Sequence, residues 1–138
     1  MSSVHFASTR AARENLSALL TAADEGRPAS VQRSADRRLS VVDSARLAHF
    51  YRTVHPANAQ VISDEGYGVA ILLPDLPVHG DGDDLEEAVA DTVAALRDYA
   101  EDWSDHLRHA PNHQDHYMLV QFVAASTDEE LREWIVAG

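Results

Sequence analysis

Four histidines in the second half of the chain have spacings typical of metal ligands. They lie within "HLRHAPNHQDH", three, four and three residues apart: His106, His109, His113 and His116. Imidazoles at these spacings can bind zinc or nickel, and Asp105 and Asp115 are candidates to orient the rings. Pro111 is expected to interrupt a helix that would otherwise carry all four on one face. Three interpretations stay open: an exposed connection whose histidines share no role, a metal site, or a pH-sensitive contact. We predict no metal and no other cofactor.

Six carboxylates crowd a second stretch: Asp75, Asp81, Asp83, Asp84, Glu86 and Glu87. A metal-dependent nuclease needs carboxylates that converge from strands and a helix. The candidate strands "VAILL" and "YMLVQFVAA" contain none, and turn formation with helix capping explains the acidic residues of the loop. No nucleophile elbow, phosphate-binding loop or dinucleotide motif occurs elsewhere. We therefore predict that the protein is not an enzyme.

Arginines concentrate in the first third of an otherwise acidic chain. Residues 1–52 hold eight Arg and five Asp or Glu, a net of +3, and residues 53–138 hold three Arg and eighteen Asp or Glu, a net of -15. The two sums give the overall charge of -12. Five arginines are predicted to form a cationic patch for phosphate and groove contacts: Arg10, Arg13, Arg33, Arg37 and Arg38. The alternative is that they are solvated, with some paired to neighbouring carboxylates.

Periodicity predicts the elements that would position these arginines. Residues 4–6 are predicted to form a strand, and Ser8 to cap a helix that ends at Gly26. Two short strands follow in "ASVQRS" and "RLSVVD", and Ser44 is predicted to cap a second helix. A β-α-β-β-α unit of about 50 residues has too small a core to be stable alone, so we expect it to dimerise.

Short motifs lie between residues 12 and 47: Ala12-Arg13-Glu14-Asn15-Leu16-Ser17, Gly26-Arg27-Pro28, Val31-Gln32-Arg33, and Val41, Val42, Ser44 and Leu47. This stretch resembles the N-terminal domain of the Phd/YefM antitoxin family. The resemblance implies a domain of residues 1–55 that forms a homodimer and binds operator DNA through Arg13 and Arg33. Arg37 and Arg38 would contact phosphates. The hairpin turn departs from the family, since it reads "SADRRL" where R-G-R-P is common.

A second domain is predicted for residues 58–138. "QVISDEGYGVAILLPDLP" predicts two strands, the second buried on both faces, and "GDGDD" predicts a loop. Asp83 or Asp84 is predicted to cap a helix of about six turns. "YMLVQFVAAS" predicts a further strand, and "STDEELREWIV" predicts a final helix with a capping box of Thr127 and Glu130.

This part also carries a block of motifs: Gly66-Tyr67, Pro74-Asp75-Leu76-Pro77, Gly80-Asp81 and Leu85-Glu86-Glu87-Ala88. The block resembles the HicB antitoxin domain. The resemblance implies a degenerate RNase H-like fold, β-β-β-α-β-α, that covers a toxin nuclease and has no activity of its own. The P-G-C continuation of that family is absent, because Val78-His79 follows Pro77.

These patterns predict an α+β protein with two small domains that acts as an antitoxin of a type II toxin–antitoxin system. It would repress its operon by binding operator DNA as a homodimer, and the six clustered carboxylates would bind a cognate toxin, a basic protein such as an RNase. The alternative is a stand-alone transcriptional regulator whose C-terminal domain senses a metal or small ligand. There is no cysteine and no apolar run of membrane-spanning length, so we expect a cytoplasmic protein without a membrane partner.

Overall fold

The computed structural model describes residues 2–137. The chain forms two compact units, divided between Leu47 and Ala48, and each contains a three-stranded sheet with helices. The predicted α+β class is confirmed. The division falls inside a helix, earlier than the predicted boundary at residues 55–58.

The first unit contains three strands, two helices and the start of a third: β1 Val4–Phe6, α1 Thr9–Glu14, α2 Leu16–Asp24, β2 Ala29–Ser34, β3 Arg37–Ser40 and α3 Ser44–Val54. β1 pairs parallel with β2, and β2 pairs antiparallel with β3. The buried core residues are Leu19 and four alanines, Ala12, Ala22, Ala23 and Ala29, and partly buried apolar side chains pack against them: Val4, Phe6, Val31 and Val41. So small a core buries little apolar surface.

The first helix is broken, where the sequence pattern predicted a continuous one. The side-chain amide of Asn15 donates to the carbonyl oxygen of Ala11 at 2.9 Å, which the backbone N–H of Asn15 would bond in an unbroken helix. That N–H bonds the carbonyl of Ala12 instead, so α1 ends and α2 begins at Asn15. Ser8 caps α1 as predicted. The prediction that Ser44 caps α3 is wrong by one residue. The carboxylate of Asp43 accepts from the N–H of Arg46, so Asp43 is the capping residue.

The second unit contains an antiparallel sheet in the order β4-β5-β6, followed by helices. Its elements are β4 Gln60–Asp64, β5 Gly68–Leu72, β6 His79–Gly82, α4 Leu85–Asp105, α5 Tyr117–Ala125 and α6 Asp128–Val136, with 3-10 turns at Leu107–His109 and Gln114–His116. Residues 79–82 therefore form a strand and not the predicted loop. The prediction that β5 is buried on both faces is also wrong, because Ile71 is fully buried but Leu72 is exposed.

The run "YMLVQFVAA" is a helix, and the prediction of a strand is wrong. Its buried residues are Leu119, Val120, Phe122 and Val123, which recur with helical spacing. A short, almost entirely apolar run does not show its period clearly in the sequence, so the assignment depended on bulky side chains. The second unit is thus β-β-β-α-α-α, without the predicted strand after α4.

Local bonds fix the ends of these helices. The side chain of Asp84 caps α4, and Thr127 and Glu130 form the predicted capping box of α6. Hydrogen bonds from Thr127 lower the pKa of Glu130. The contribution of this box is therefore present above the ordinary pKa of glutamate and is lost as the pH falls. The guanidinium of Arg97 bonds the carbonyls of Val123 and Ser126, which ties the turn between α5 and α6 to α4.

The core of the second unit includes the end of α3. The rings of Tyr51 and Phe122 stack with centroids 4.6 Å apart, and Trp134 lies edge-on to Phe122 at 5.0 Å. The indole N–H of Trp134 donates to the carbonyl of His55 at 2.8 Å. A fragment that began at residue 58 would lose Tyr51 and expose the rings against which it packs.

Two glycines allow α4 to pack directly on β6. A Cβ at Gly80 would overlap the Oγ1 of Thr92 and lie 2.5 Å from its backbone nitrogen, and a Cβ at Gly82 would lie 2.5 Å from the Cβ of Glu87. Thr92 is fully buried, and its hydroxyl donates to the carbonyl of Ala88. Any side chain on these faces of β6 would push the helix away from the sheet.

We therefore predict that Gly80→Ala destabilises the protein by roughly 2–3 kcal/mol, the cost of overpacking a rigid core. Gly66→Ala is the matched control. Gly66 has a φ of 89° but no atom within 4 Å of the position of a Cβ, so it should lose only about 1 kcal/mol through backbone strain. Urea denaturation of both variants measures the difference, and equal losses would contradict this account of the α4–β6 contact.

Candidate functional site

The five predicted DNA-binding arginines all lie in the first unit, and all are exposed. Arg10 and Arg13 are on α1, and Arg37 and Arg38 begin β3. Arg33 lies in β2 where the register with β3 shifts between Gln32 and Ser34. Because α1 packs against β2, the first helix and the hairpin present their arginines from one small body.

The structure separates free arginines from engaged ones. Arg10 forms an exposed ion pair with Glu14 at 3.2 Å, a kind of contact worth little in water. The Nε of Arg38 donates to the hydroxyl of Ser30 at 3.2 Å, and the Nδ1 of His5 lies 2.8 Å from the same buried oxygen. Arg38 is therefore fixed against the sheet. Among residues 2–137, Arg13, Arg33 and Arg37 have no ion pair or side-chain hydrogen bond, which leaves their guanidinium groups available to a ligand.

Sequence reasoning assigned no role to Arg27 and Arg46, although both support this unit. Arg46 donates to the carbonyl of Asp24 at 2.8 Å, where a cation is favoured by the C-terminal end of the α2 dipole. Arg27 donates to the carbonyl of Ser2 and pairs with Glu25 at 2.8 Å. Arg27, Arg38 and Arg46 line a cavity of about 280 Å³. No local signal marks Arg46 as a partner of α2, because it lies 22 residues beyond Asp24.

The first unit also exposes a set of large apolar side chains. Leu16 and Leu20 lie one turn apart on α2 and are each 51% exposed. Leu39 on β3 and Val42 just after it are exposed as well. A unit with so small a core leaves much of its apolar surface exposed.

The six clustered carboxylates of the second unit are not equivalent. The Oδ1 of Asp84 accepts from the N–H of Glu87 at 2.8 Å, and the Oε2 of Glu87 accepts from the N–H of Asp83 at 2.9 Å. These two side chains hold the start of α4. The remaining four are exposed, and their carboxylates bond no other described residue: Asp75, Asp81, Asp83 and Glu86.

The four histidines do not converge on one point. The Nδ1 atoms of His113 and His116 lie 3.0 and 2.7 Å from the hydroxyl of Tyr99, whereas His106 pairs with its neighbour Asp105. Burial raises the pKa of Tyr99, so its hydroxyl keeps its proton. It can donate to one imidazole and accept from the other. Within the part of the chain that the structure describes, no group of three or more His, Asp or Glu side chains could hold a metal ion.

None of the helices between residues 2 and 137 is long and apolar enough to cross a membrane. The exposed surfaces include a cationic one on the first unit, an apolar one on α2, and an acidic one around the start of α4.

The architecture of this chain is shared with a solved structure. A crystal structure described as the antitoxin part of a proposed toxin/antitoxin system from Syntrophomonas wolfei subsp. wolfei superposes with a TM-score of 0.75 at 17% sequence identity. The match covers 97% of this chain and 96% of that one. At this identity the likeness establishes the fold. No curated protein matches the sequence.

A family model, PHD-like, matches residues 3–137. It is described as the antitoxin of RelE/RelB toxin–antitoxin systems, and the match covers both units. The chain therefore belongs to the PHD-like family of toxin–antitoxin antitoxins.

Proposed function

We propose that this antitoxin divides its work between its two units: the first binds operator DNA as a homodimer and represses the operon, and the second binds and neutralises the toxin. The observation that carries the proposal is the charge asymmetry, +3 over residues 1–52 and -15 over residues 53–138. It nearly coincides with the structural division after Leu47. Opposite charges on separate units suit two partners of opposite charge, a nucleic acid and a basic protein.

The DNA-binding proposal is supported by Arg13, Arg33 and Arg37. Their exposed guanidinium groups are free among the described residues, and they come from a helix and a hairpin in the same unit. Guanidinium groups of this kind bind phosphates and can read guanine edges bidentately. Phd/YefM-like recognition would use Arg13 and Arg33 for this purpose.

Dimerisation is supported by the exposed leucines of α2. Leu16 and Leu20 would pack against a second copy and enlarge a core whose buried apolar residues are Leu19 and four alanines. A two-fold dimer places two copies of the cationic surface on one duplex, so the operator would contain two related half-sites.

The toxin-binding proposal is supported by the acidic residues near α4. Asp75, Asp81, Asp83 and Glu86 are exposed and unengaged within residues 2–137, whereas the other two carboxylates cap the helix. A toxin that acts on RNA has a cationic substrate-binding surface. An acidic protein attracts such a surface and, once bound, excludes the RNA.

We predict that Arg13→Ala and Arg33→Ala each weaken operator binding by about 1–3 kcal/mol without loss of fold, because each removes an exposed base-contacting group. Binding of the wild-type protein should fall steeply with salt as counterions are released from the DNA. Fluorescence anisotropy with the upstream promoter measures both effects.

Arg132→Ala is the matched control for this experiment. It removes the same charge from an exposed position in the second unit and should leave DNA affinity almost unchanged. If all three variants bound the promoter as the wild type does, the assignment of these two arginines would be wrong.

We predict that Asp75→Arg together with Glu86→Arg slows association with the toxin about tenfold at low salt, because steering by long-range charge is reduced. Neither residue caps a helix or forms an ion pair in residues 2–137, so the fold should be kept. Stopped-flow measurements at several salt concentrations test this, with the toxin taken from the neighbouring reading frame that co-purifies with the antitoxin.

The control for the acidic surface is the pair Asp115→Arg and Glu133→Arg, which changes the net charge equally at exposed positions outside the stretch 75–87. Equal slowing by both pairs would show that only total charge matters and would refute a local acidic contact.

A further inference from the structure

The free edge of the second sheet has an unusual surface. All five residues of β4 are exposed, and in the sheet order β4-β5-β6 this strand has a partner on one side only within residues 2–137. Its pairing with β5 is regular over five residue pairs, from Gln60–Leu72 to Asp64–Gly68. The backbone N–H and C=O groups along its outer edge are therefore arranged to pair with a further strand.

Apolar side chains project from β4 on both faces of the sheet. Val61 is paired with the buried Ile71 and so lies on the face covered by α4, yet it is 55% exposed. Ile62 is paired with Ala70, lies on the opposite face, and is 52% exposed. Natural edge strands usually carry a lysine, a proline or a bulge that discourages pairing. β4, "QVISD", has none of these.

The apolar surface continues beyond the strand. Leu72, which is opposite Gln60, is exposed on the same face as Ile62. Next to it lies a groove of about 520 Å³, lined by side chains that include Leu76 and Val78. An added strand would thus meet a row of apolar side chains as well as a hydrogen-bonding edge.

Carboxylates flank this surface. Asp64 ends β4, Glu65 follows in the turn, and Asp81 shares a row across the sheet with Ala70 and Ile62. No arginine lies in residues 53–96, and the chain contains no lysine. A strand that pairs here would be favoured if it carried apolar residues opposite Val61 and Ile62 and a lysine or arginine near Asp64.

We propose that β4 binds an extended segment of the toxin by strand addition, so that the sheet of the second unit continues into the toxin. This inference rests on the proposed function, since it names the surface by which the second unit holds its partner. A second copy of this chain fits the edge less well, because each copy would bring a net charge of -15 over residues 53–138 and like charges oppose association. Main-chain bonds would give affinity, and the alternating side chains would give specificity.

The test is hydrogen exchange of the full-length antitoxin, alone and with the toxin that co-purifies with it. The amides of β4 that do not bond β5 should exchange rapidly in the free protein and become at least about tenfold slower in the complex. Ile62→Lys should weaken toxin binding roughly tenfold, because it places a cation where the cationic partner docks. Val136→Lys, which adds the same charge at a 61% exposed position on α6, should not.

Each outcome bears on the proposal. Toxin binding without protection of β4, or with equal affinities for Ile62→Lys and Val136→Lys, would overturn strand addition and leave the proposed function standing. Protection of β4 in the free protein that increases with its concentration would assign the edge to a second copy and would also overturn the inference. If no neighbouring gene product bound the wild-type antitoxin, the proposed function itself would fall, and the inference with it.

Discussion

The second unit depends on the direct contact between α4 and β6. Gly80 and Gly82 present bare backbone to the helix, and the side chain of Thr92 occupies the space that a Cβ would need. Because α4 packs on β6 and β5, β4 lies beyond the cover of the helix. The same contact thus fixes the acidic start of α4 next to β6 and leaves Val61 exposed at the far edge of the sheet. Ile62 lies on the face opposite α4, so its exposure has a different origin.

The first unit is governed by a different limitation, the size of its core. The buried apolar residues between the two short helices and the sheet are Leu19 and four alanines, and a unit of this size gains little from burial. Long-range contacts support it: Arg46 bonds the end of α2, and Arg38 bonds Ser30 across the sheet. The arginines left without such contacts are those proposed to bind DNA, and the leucines left outside the core are those proposed to pack in a dimer. The side chains proposed to bind DNA and to form the dimer are thus those that make few contacts within the first unit.

Much of this architecture could be predicted from local signals. Local signals mark most element boundaries correctly, among them the turn glycines, the cap at Ser8, and the box of Thr127 and Glu130. For α4 they leave the cap open between Asp83 and Asp84. The failures have physical causes. The period of "YMLVQFVAA" is hidden because nearly every residue is apolar, and the break at Asn15 depends on one side-chain bond that competes with the helix. The exposure of Val61 on β4 depends on where α4 packs, which is a tertiary contact. For the candidate sites, the sequence located the charged residues, but only the structure separates Asp84 and Glu87, which cap a helix, from the four carboxylates available to a partner.

The two units are proposed to bind different partners. The most direct measurement is backbone amide chemical-shift mapping of the full-length protein, titrated separately with operator DNA and with the co-purifying toxin. We expect DNA to perturb residues of the first unit, centred on α1 and the β2–β3 hairpin. The toxin should perturb residues of the second unit, centred on β4 and the start of α4. Perturbation of the same residues by both partners, or a toxin response confined to residues 2–47, would contradict this assignment.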